Sequence, residues 1–162
     1  MFFWFIGTAV VTVGVVFRDP RFDYRLLIVG SVLPMLDGLS GGVGALHSLT
    51  FSVLLLAVLM LATAGRKPVR KVLLGLPIGM ILHLVFDGAW SNTEVFWWPW
   101  FGWSFSGAAL PVLERGWWGL ALEAIGVGIC VWLWRHNQMS NPVRRSEFVR
   151  DGRLDSVPER LG

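Results

Sequence analysis

The hydrophobic positions fall into five runs separated by short polar segments. Met1–Phe17 is a first apolar run, slightly short for a membrane span but sufficient. Arg18–Arg25 is a charged turn containing a helix-stopping proline. Leu26–Leu36 is a second run, in which Pro34, lacking a backbone N–H, loosens or ends the helix. Asp37–Leu46 is glycine-rich and contains no Lys or Arg, and His47 stands at the mouth of the third run, Ser48–Ala64. Gly65–Lys71 reads as a basic turn and Val72–Trp90 as the fourth run. Gly75, Pro77 and Gly79 in that run are tolerated in a membrane helix whose neighbours satisfy the backbone. Ser91–Gly116 is a long, aromatic, nearly uncharged connection, and Trp117–Trp134 is the fifth run. This pattern predicts an all-α, polytopic membrane helical bundle of about five transmembrane helices over residues 1–134. Residues 135–162 read as a cytoplasmic, largely disordered basic tail.

Composition agrees with a membrane protein. In a chain of 162 residues, one domain's length, 54% of residues are hydrophobic, 15% are charged and mean hydropathy is +0.60. The net charge of +3 does not indicate nucleic acid, because the basic residues cluster between the apolar runs. Placing the segments 18–25 and 65–71 and the tail on one side collects every Lys and Arg there except Arg115. By the positive-inside rule that side is cytoplasmic and the N-terminus is outside. Trp90, Trp97, Trp98, Trp100, Trp103, Trp117 and Trp118 then mark the outer interface and Trp132 and Trp134 the inner one. The apolar N-terminus has no basic leader region and no small-residue cleavage site, so it reads as a retained span. The single cysteine, Cys130, rules out a disulfide framework or a cysteine-based zinc site and reads as packing.

The candidate chemistry lies inside the runs. His83 and Asp87 are four residues apart and share one face of a helix. Ionisable residues at membrane depth are costly and raise a functional hypothesis. At ~1.5 Å per helical residue, Asp37, His83, Asp87 and Glu123 fall in one layer, in the outer half of a ~30 Å hydrocarbon core, with His47 above them. The glycines of Gly38–Gly44 let the chain turn back between Asp37 and His47. Asp37, His47, His83 and Asp87 suit a divalent metal, Zn²⁺ first and Mn²⁺ or Fe²⁺ as alternatives. Such a metal supplies hydroxide at neutral pH, with Glu123 or Glu94 as the catalytic base or water-orienting group. Ser48 reads as a helix cap or as support for the site, since no Gly-x-Ser-x-Gly elbow is present, nor any His-Glu-x-x-His motif. Two other readings of the layer stay open: a proton or ion relay of a transporter, and polar contacts that only join helices.

Gly30-Ser-Val-Leu-Pro34-Met-Leu-Asp37, His47-Ser48, Gly79-x-x-x-His83-x-x-x-Asp87 and Phe96-Trp-Trp-Pro99-x-x-Gly102 occur in an order that resembles the YdjM-like family. These are small bacterial inner-membrane proteins described as metal-dependent hydrolases and grouped remotely with zinc-dependent phospholipase C. The resemblance covers roughly residues 25–105. The family pattern has Pro-Asp-x-Asp where this chain has Pro34-Met35-Leu36-Asp37, and a threonine where Leu46 stands. Its His-x-x-x-Asp motif is intact. Loss of the first aspartate implies fewer metals, a ligand supplied by Glu123, or lost catalysis. The resemblance implies hydrolysis of a phosphoester in a lipid or envelope substrate at the outer leaflet. The aromatic stretch Phe96–Phe105 would then form a lid or interfacial platform. The expected partners are the bilayer and that substrate, with no nucleic acid; a non-catalytic transporter or lipid-binding scaffold is the alternative.

Overall fold

A computed structural model describes residues 1–19, 21–40, 42–103 and 115–154, without the side chains of residues 39 and 40. Every regular element among the described residues is helical. The first run forms α1, Phe2–Phe17. The second forms α2, Tyr24–Val32, whose N-cap is Asp23, its carboxylate accepting from the Arg25 amide. Pro34 has the effect expected of it. The α-helix gives way at Leu33 to a 3-10 helix, Leu33–Ser40, because a proline cannot continue the i→i−4 ladder. A second 3-10 turn, Ala45–His47, leads into α3, Leu49–Ala62, capped by the Ser48 hydroxyl at the Phe51 amide.

The basic segment 65–71 differs from expectation. It is helical from Lys67, where Pro68 stands in the first turn, a position that has no use for its missing N–H. This α4, Lys67–Leu73, runs on into α5, Gly75–Asp87, which ends at Gly88 in the left-handed conformation (φ 62°). A 3-10 turn, Ala89–Ser91, and the short α6, Thr93–Phe96, follow. The fifth run is α7, Trp117–His136. Among the described residues two helical stretches, Lys67–Asp87 and Trp117–His136, are long and apolar enough to cross a membrane, and Phe2–Phe17 and Leu49–Ala62 are shorter apolar helices.

The tail also departs from its predicted disorder. Residues Pro142–Asp151 form α8, capped by Asn141 and by Gly152 in the left-handed conformation. The Arg25 guanidinium donates to the carbonyls of Val149 (2.7 Å) and Arg150 (3.0 Å), and the Tyr24 amide donates to Gly152 O at 2.8 Å. Phe148 and Leu154 pack against the cluster of Ala9, Val10, Val13, Tyr24 and Leu27. Composition alone predicts disorder here. Two apolar side chains and a fork of donors for the helix's last carbonyls overcome it.

Helix α5 packs along α2, α7 lies along α1, and α3 rests on α5. At the α2–α5 crossing the backbones touch. A Cβ on Gly30 would come 2.1 Å from Leu76 O, and one on Gly79 would come 2.3 Å from Leu27 O. The Gly75-x-x-x-Gly79 pair therefore serves an approach within the chain. Beside the buried apolar cluster, several polar side chains are buried while large apolar ones face outward. Thr8, Ser31, Asp37, His47, Ser48, Ser52, His83 and Asp87 are buried, while apolar side chains such as Val53, Leu54, Leu61, Leu120 and Ile125 are exposed. A water-soluble domain hides such apolar faces; a chain surrounded by lipid has no need to.

Candidate metal centre

The close α2–α5 crossing builds the site. With glycine at positions 30 and 79, the main chain of α2 comes near enough for the Ser31 carbonyl to meet His83 Nδ1 at 2.7 Å. A carbonyl only accepts, so Nδ1 carries the proton and Nε2 keeps its lone pair. The imidazole lies against the Phe5 ring, with centroids 3.9 Å apart. Its Nε2 is buried and has no hydrogen-bond partner among the described residues.

His47 is fixed the same way by a different group. The Asp37 carboxylate oxygen Oδ2 accepts from His47 Nδ1 (2.9 Å), from the His47 amide (3.1 Å) and from the Gly44 amide (3.0 Å). A Cβ at Gly44 would sit 2.7 Å from Asp37 Oδ1, so a larger residue there would push this carboxylate out of place. The glycine-rich turn thus wraps its amides around a carboxylate, and that carboxylate aims the ring. With Nδ1–H bound to Asp37, His47 Nε2 is the lone-pair atom, and it lies 3.8 Å from Asp87 Oδ2. The two imidazoles meet nearly edge to face, with centroids 5.3 Å apart.

Asp87, in the last turn of α5, is fully buried, and neither carboxylate oxygen has a hydrogen-bond partner among the described residues. A buried carboxylate in that condition is costly unless another charge answers it. One partial answer is Arg115, whose Nη1 is 3.6 Å from Asp87 Oδ1 and whose Nη2 donates to the Asp87 main-chain carbonyl. The other is the group itself. One ligand atom each from His47, His83 and Asp87 lies within 4.8 Å of the others. Two imidazole nitrogens and a carboxylate, with both histidines held from behind through Nδ1, fit Zn²⁺, Fe²⁺ or Mn²⁺ and not a soft metal.

The site residues expected from sequence are distributed as follows. His47, His83 and Asp87 converge. Asp37, expected as a ligand, stands behind His47 as its hydrogen-bond partner. Glu123 is not brought to the group: its oxygens face the Phe3 and Trp4 amides at 3.2 and 3.3 Å, at the start of α1. Glu94 is exposed in the first turn of α6 and is not part of the group either. Ser48 caps α3, and its hydroxyl donates to Trp98 O at 2.8 Å, tying the aromatic segment to the loop that carries His47. Of the expected lid Phe96–Phe105, Trp100, Phe101 and Trp103 are exposed, and residues 104 and 105 lie outside the described residues. Two participants were missed by the sequence reading. The Ser31 carbonyl is a main-chain atom with no sequence signature. Arg115 did carry a signal, as the one basic residue away from the three basic clusters.

An all-helical protein with buried polar groups, outward apolar faces and an inward-facing His–His–Asp group belongs to the class of helical membrane proteins with a candidate metal centre. The chain belongs to the YdjM inner membrane protein family, whose model matches residues 4–145 and so includes every residue of the group. Neither the comparison with curated proteins nor that with solved structures gave a match.

Proposed function

We propose that the chain is a multi-pass inner-membrane hydrolase that uses one divalent metal, Zn²⁺ first, to cleave a phosphoester in a lipid or envelope substrate. The observation that carries this is the convergence of three ligand atoms within 4.8 Å, two of them on imidazoles held through their other nitrogens. His47, His83 and Asp87 would hold the metal through Nε2, Nε2 and a carboxylate oxygen. A metal in such a three-ligand site supplies a Lewis acid and a bound water of lowered pKa. Asp37 and the Ser31 carbonyl keep the two imidazoles in the tautomer that can bind it. Phe5 and the buried α2–α5 crossing exclude bulk water from the inner side of the group. The reading assigns no base role to Glu123, whose oxygens are engaged at α1.

In the same reading the chain crosses the membrane five times, through α1, α2 with its 3-10 extension, α3, α4–α5 and α7. The basic segments and α8 are cytoplasmic and the N-terminus is outside, as the distribution of Lys and Arg supports. The exposed Trp97, Trp100, Phe101 and Trp103 then border the outer leaflet, on the side of the bilayer where a lipid substrate would enter.

Metal stoichiometry by elemental mass spectrometry on detergent-purified protein tests the reading. About one metal per chain is expected in the wild type, lost in His83→Ala with the fold retained, followed by phosphoester turnover in a substrate screen. A folded, zinc-reconstituted wild type without metal overturns it, and would return the group to a proton relay or to helix packing.

A further inference from the structure

We propose that Arg115 is the anion-binding group of this site and that it selects a singly charged phosphate-type oxyanion, a phosphodiester, as the substrate group. The inference rests on the metal reading above. Four observations carry it.

First, Arg115 is the one basic residue outside the three basic segments of the chain, so the positive-inside distribution does not account for it. Second, its guanidinium is positioned by the main chain. Nη2 donates to the Asp87 carbonyl at the C-terminal end of α5, where the helix dipole also favours a cation. Gly88, in the left-handed conformation, ends the helix beside that contact. Third, the contact with the Asp87 carboxylate is loose. Nη1 is 3.6 Å from Oδ1, and Asp87 Oδ1 has no hydrogen-bond partner among the described residues, so this is not the bidentate fork by which arginine closes a structural ion pair. Fourth, Asp87 is fully buried, while the Arg115 side chain is 24% exposed. The arginine therefore bridges the buried group and the surface.

Charge decides what the arginine is for. With both histidines neutral, a divalent cation balances the carboxylates of Asp37 and Asp87. Arg115, with the Met1 ammonium offset by Glu123 at 3.9 Å, leaves the site with one positive charge while the metal's water is unionised, which one negative charge on the ligand neutralises. A phosphodiester carries one such charge. A guanidinium offers planar paired donors for its two free oxygens. The same chemistry could reach the site as a lipid headgroup or as free phosphate, and the test separates the two.

Zinc content is measured first in wild type, Arg115→Gln and Arg115→Lys. Binding of inorganic phosphate, of dihexanoyl phosphatidylglycerol and of neutral dihexanoyl glycerol is then titrated into the zinc-loaded proteins in detergent. The expected result is unchanged zinc in all three, phosphate-bearing probes bound at least tenfold more weakly by Arg115→Gln, and an intermediate loss in Arg115→Lys. The neutral lipid should not distinguish the variants. Preference for phosphatidylglycerol over inorganic phosphate identifies a lipid phosphodiester, and the reverse preference identifies free phosphate and overturns the phosphodiester assignment. Equal phosphate binding by wild type and Arg115→Gln, with zinc unchanged, overturns the inference and leaves the metal reading standing. So does zinc loss in Arg115→Gln, which would make Arg115 a structural partner of Asp87. A wild type without zinc overturns both. Arg115→Lys keeps the charge and carries the test should Arg115→Gln not fold.

Discussion

Asp37→Asn separates a ligand from a group that aims a ligand. In the structure one oxygen of Asp37 accepts three hydrogen bonds, from His47 Nδ1 at 2.9 Å, the Gly44 amide at 3.0 Å and the His47 amide at 3.1 Å. Asparagine is nearly isosteric and keeps an oxygen for the two amides. It removes the negative charge that favours the Nδ1–H tautomer and strengthens the His47 Nε2 lone pair. Outer partners of this kind are worth about 10–100-fold in metal affinity, or ~1.4–2.7 kcal/mol. Zinc affinity of Asp37→Asn should fall by that factor with the thermal transition close to wild type. His83→Ala, which deletes a donor atom, should cost more. Asp37→Ala strands His47 Nδ1–H and the Gly44 amide at ~1–3 kcal/mol each, while the His47 amide keeps the Gly44 carbonyl, and should destabilise the loop as well. Competition against a chromophoric zinc chelator in detergent, with each variant's melting curve beside it, reads all of this. Wild-type affinity in Asp37→Asn would refute the aiming role. A loss equal to that of His83→Ala would show that Asp37 is itself a ligand.

Gly79→Ala should be severe, because its Cβ would lie 2.3 Å from Leu27 O and 2.7 Å from Ser31 N, both main-chain atoms. A cost of ~1–3 kcal/mol or more is expected from a lowered melting point, along with weaker zinc binding as Ser31 moves off His83. Gly128→Ala, whose Cβ meets nothing within 4 Å, is the matched control and should leave both unchanged. Arg25→Ala removes the donors to Val149 O and Arg150 O and should speed limited proteolysis of α8 several-fold without changing metal content; an unchanged cleavage rate would refute that anchoring. The same junction has a defined acid limit. Burial raises the Asp23 carboxyl, but the hydrogen bonds from the Arg25 side chain and backbone outweigh it and leave the group below its ordinary 3.8. A depressed folded value means that the contribution is fully present above the unfolded pKa and is lost as pH falls through the folded one. Protease resistance of α8 should therefore hold from neutral pH down to about 4 and fail only below it, and loss already near neutrality would refute the linkage.

The run pattern settled much of this protein in advance. Five apolar runs and the proline at position 34 are local properties, and they reappear as helices and as the change to a 3-10 helix at Leu33. The i,i+4 spacing of His83 and Asp87 was enough to put them on one face, because helical periodicity needs no tertiary context. Sequence also gave height along each helix, and there its reach ended. Asp37, His83, Asp87 and Glu123 were expected at one level, yet Glu123 turns to the start of α1 while His47 completes the group. Residue counting fixes rise per residue but not the rotation of a helix about its axis, nor which helix stands beside it. The tail shows the same division: composition read as disorder, and the Arg25 donors with Phe148 and Leu154 made Pro142–Asp151 a docked helix. Whether a residue binds the metal or aims one that does was likewise a tertiary matter. It depended on glycines 30 and 79 bringing two backbones into contact, so that a main-chain carbonyl with no signature in the sequence reached His83.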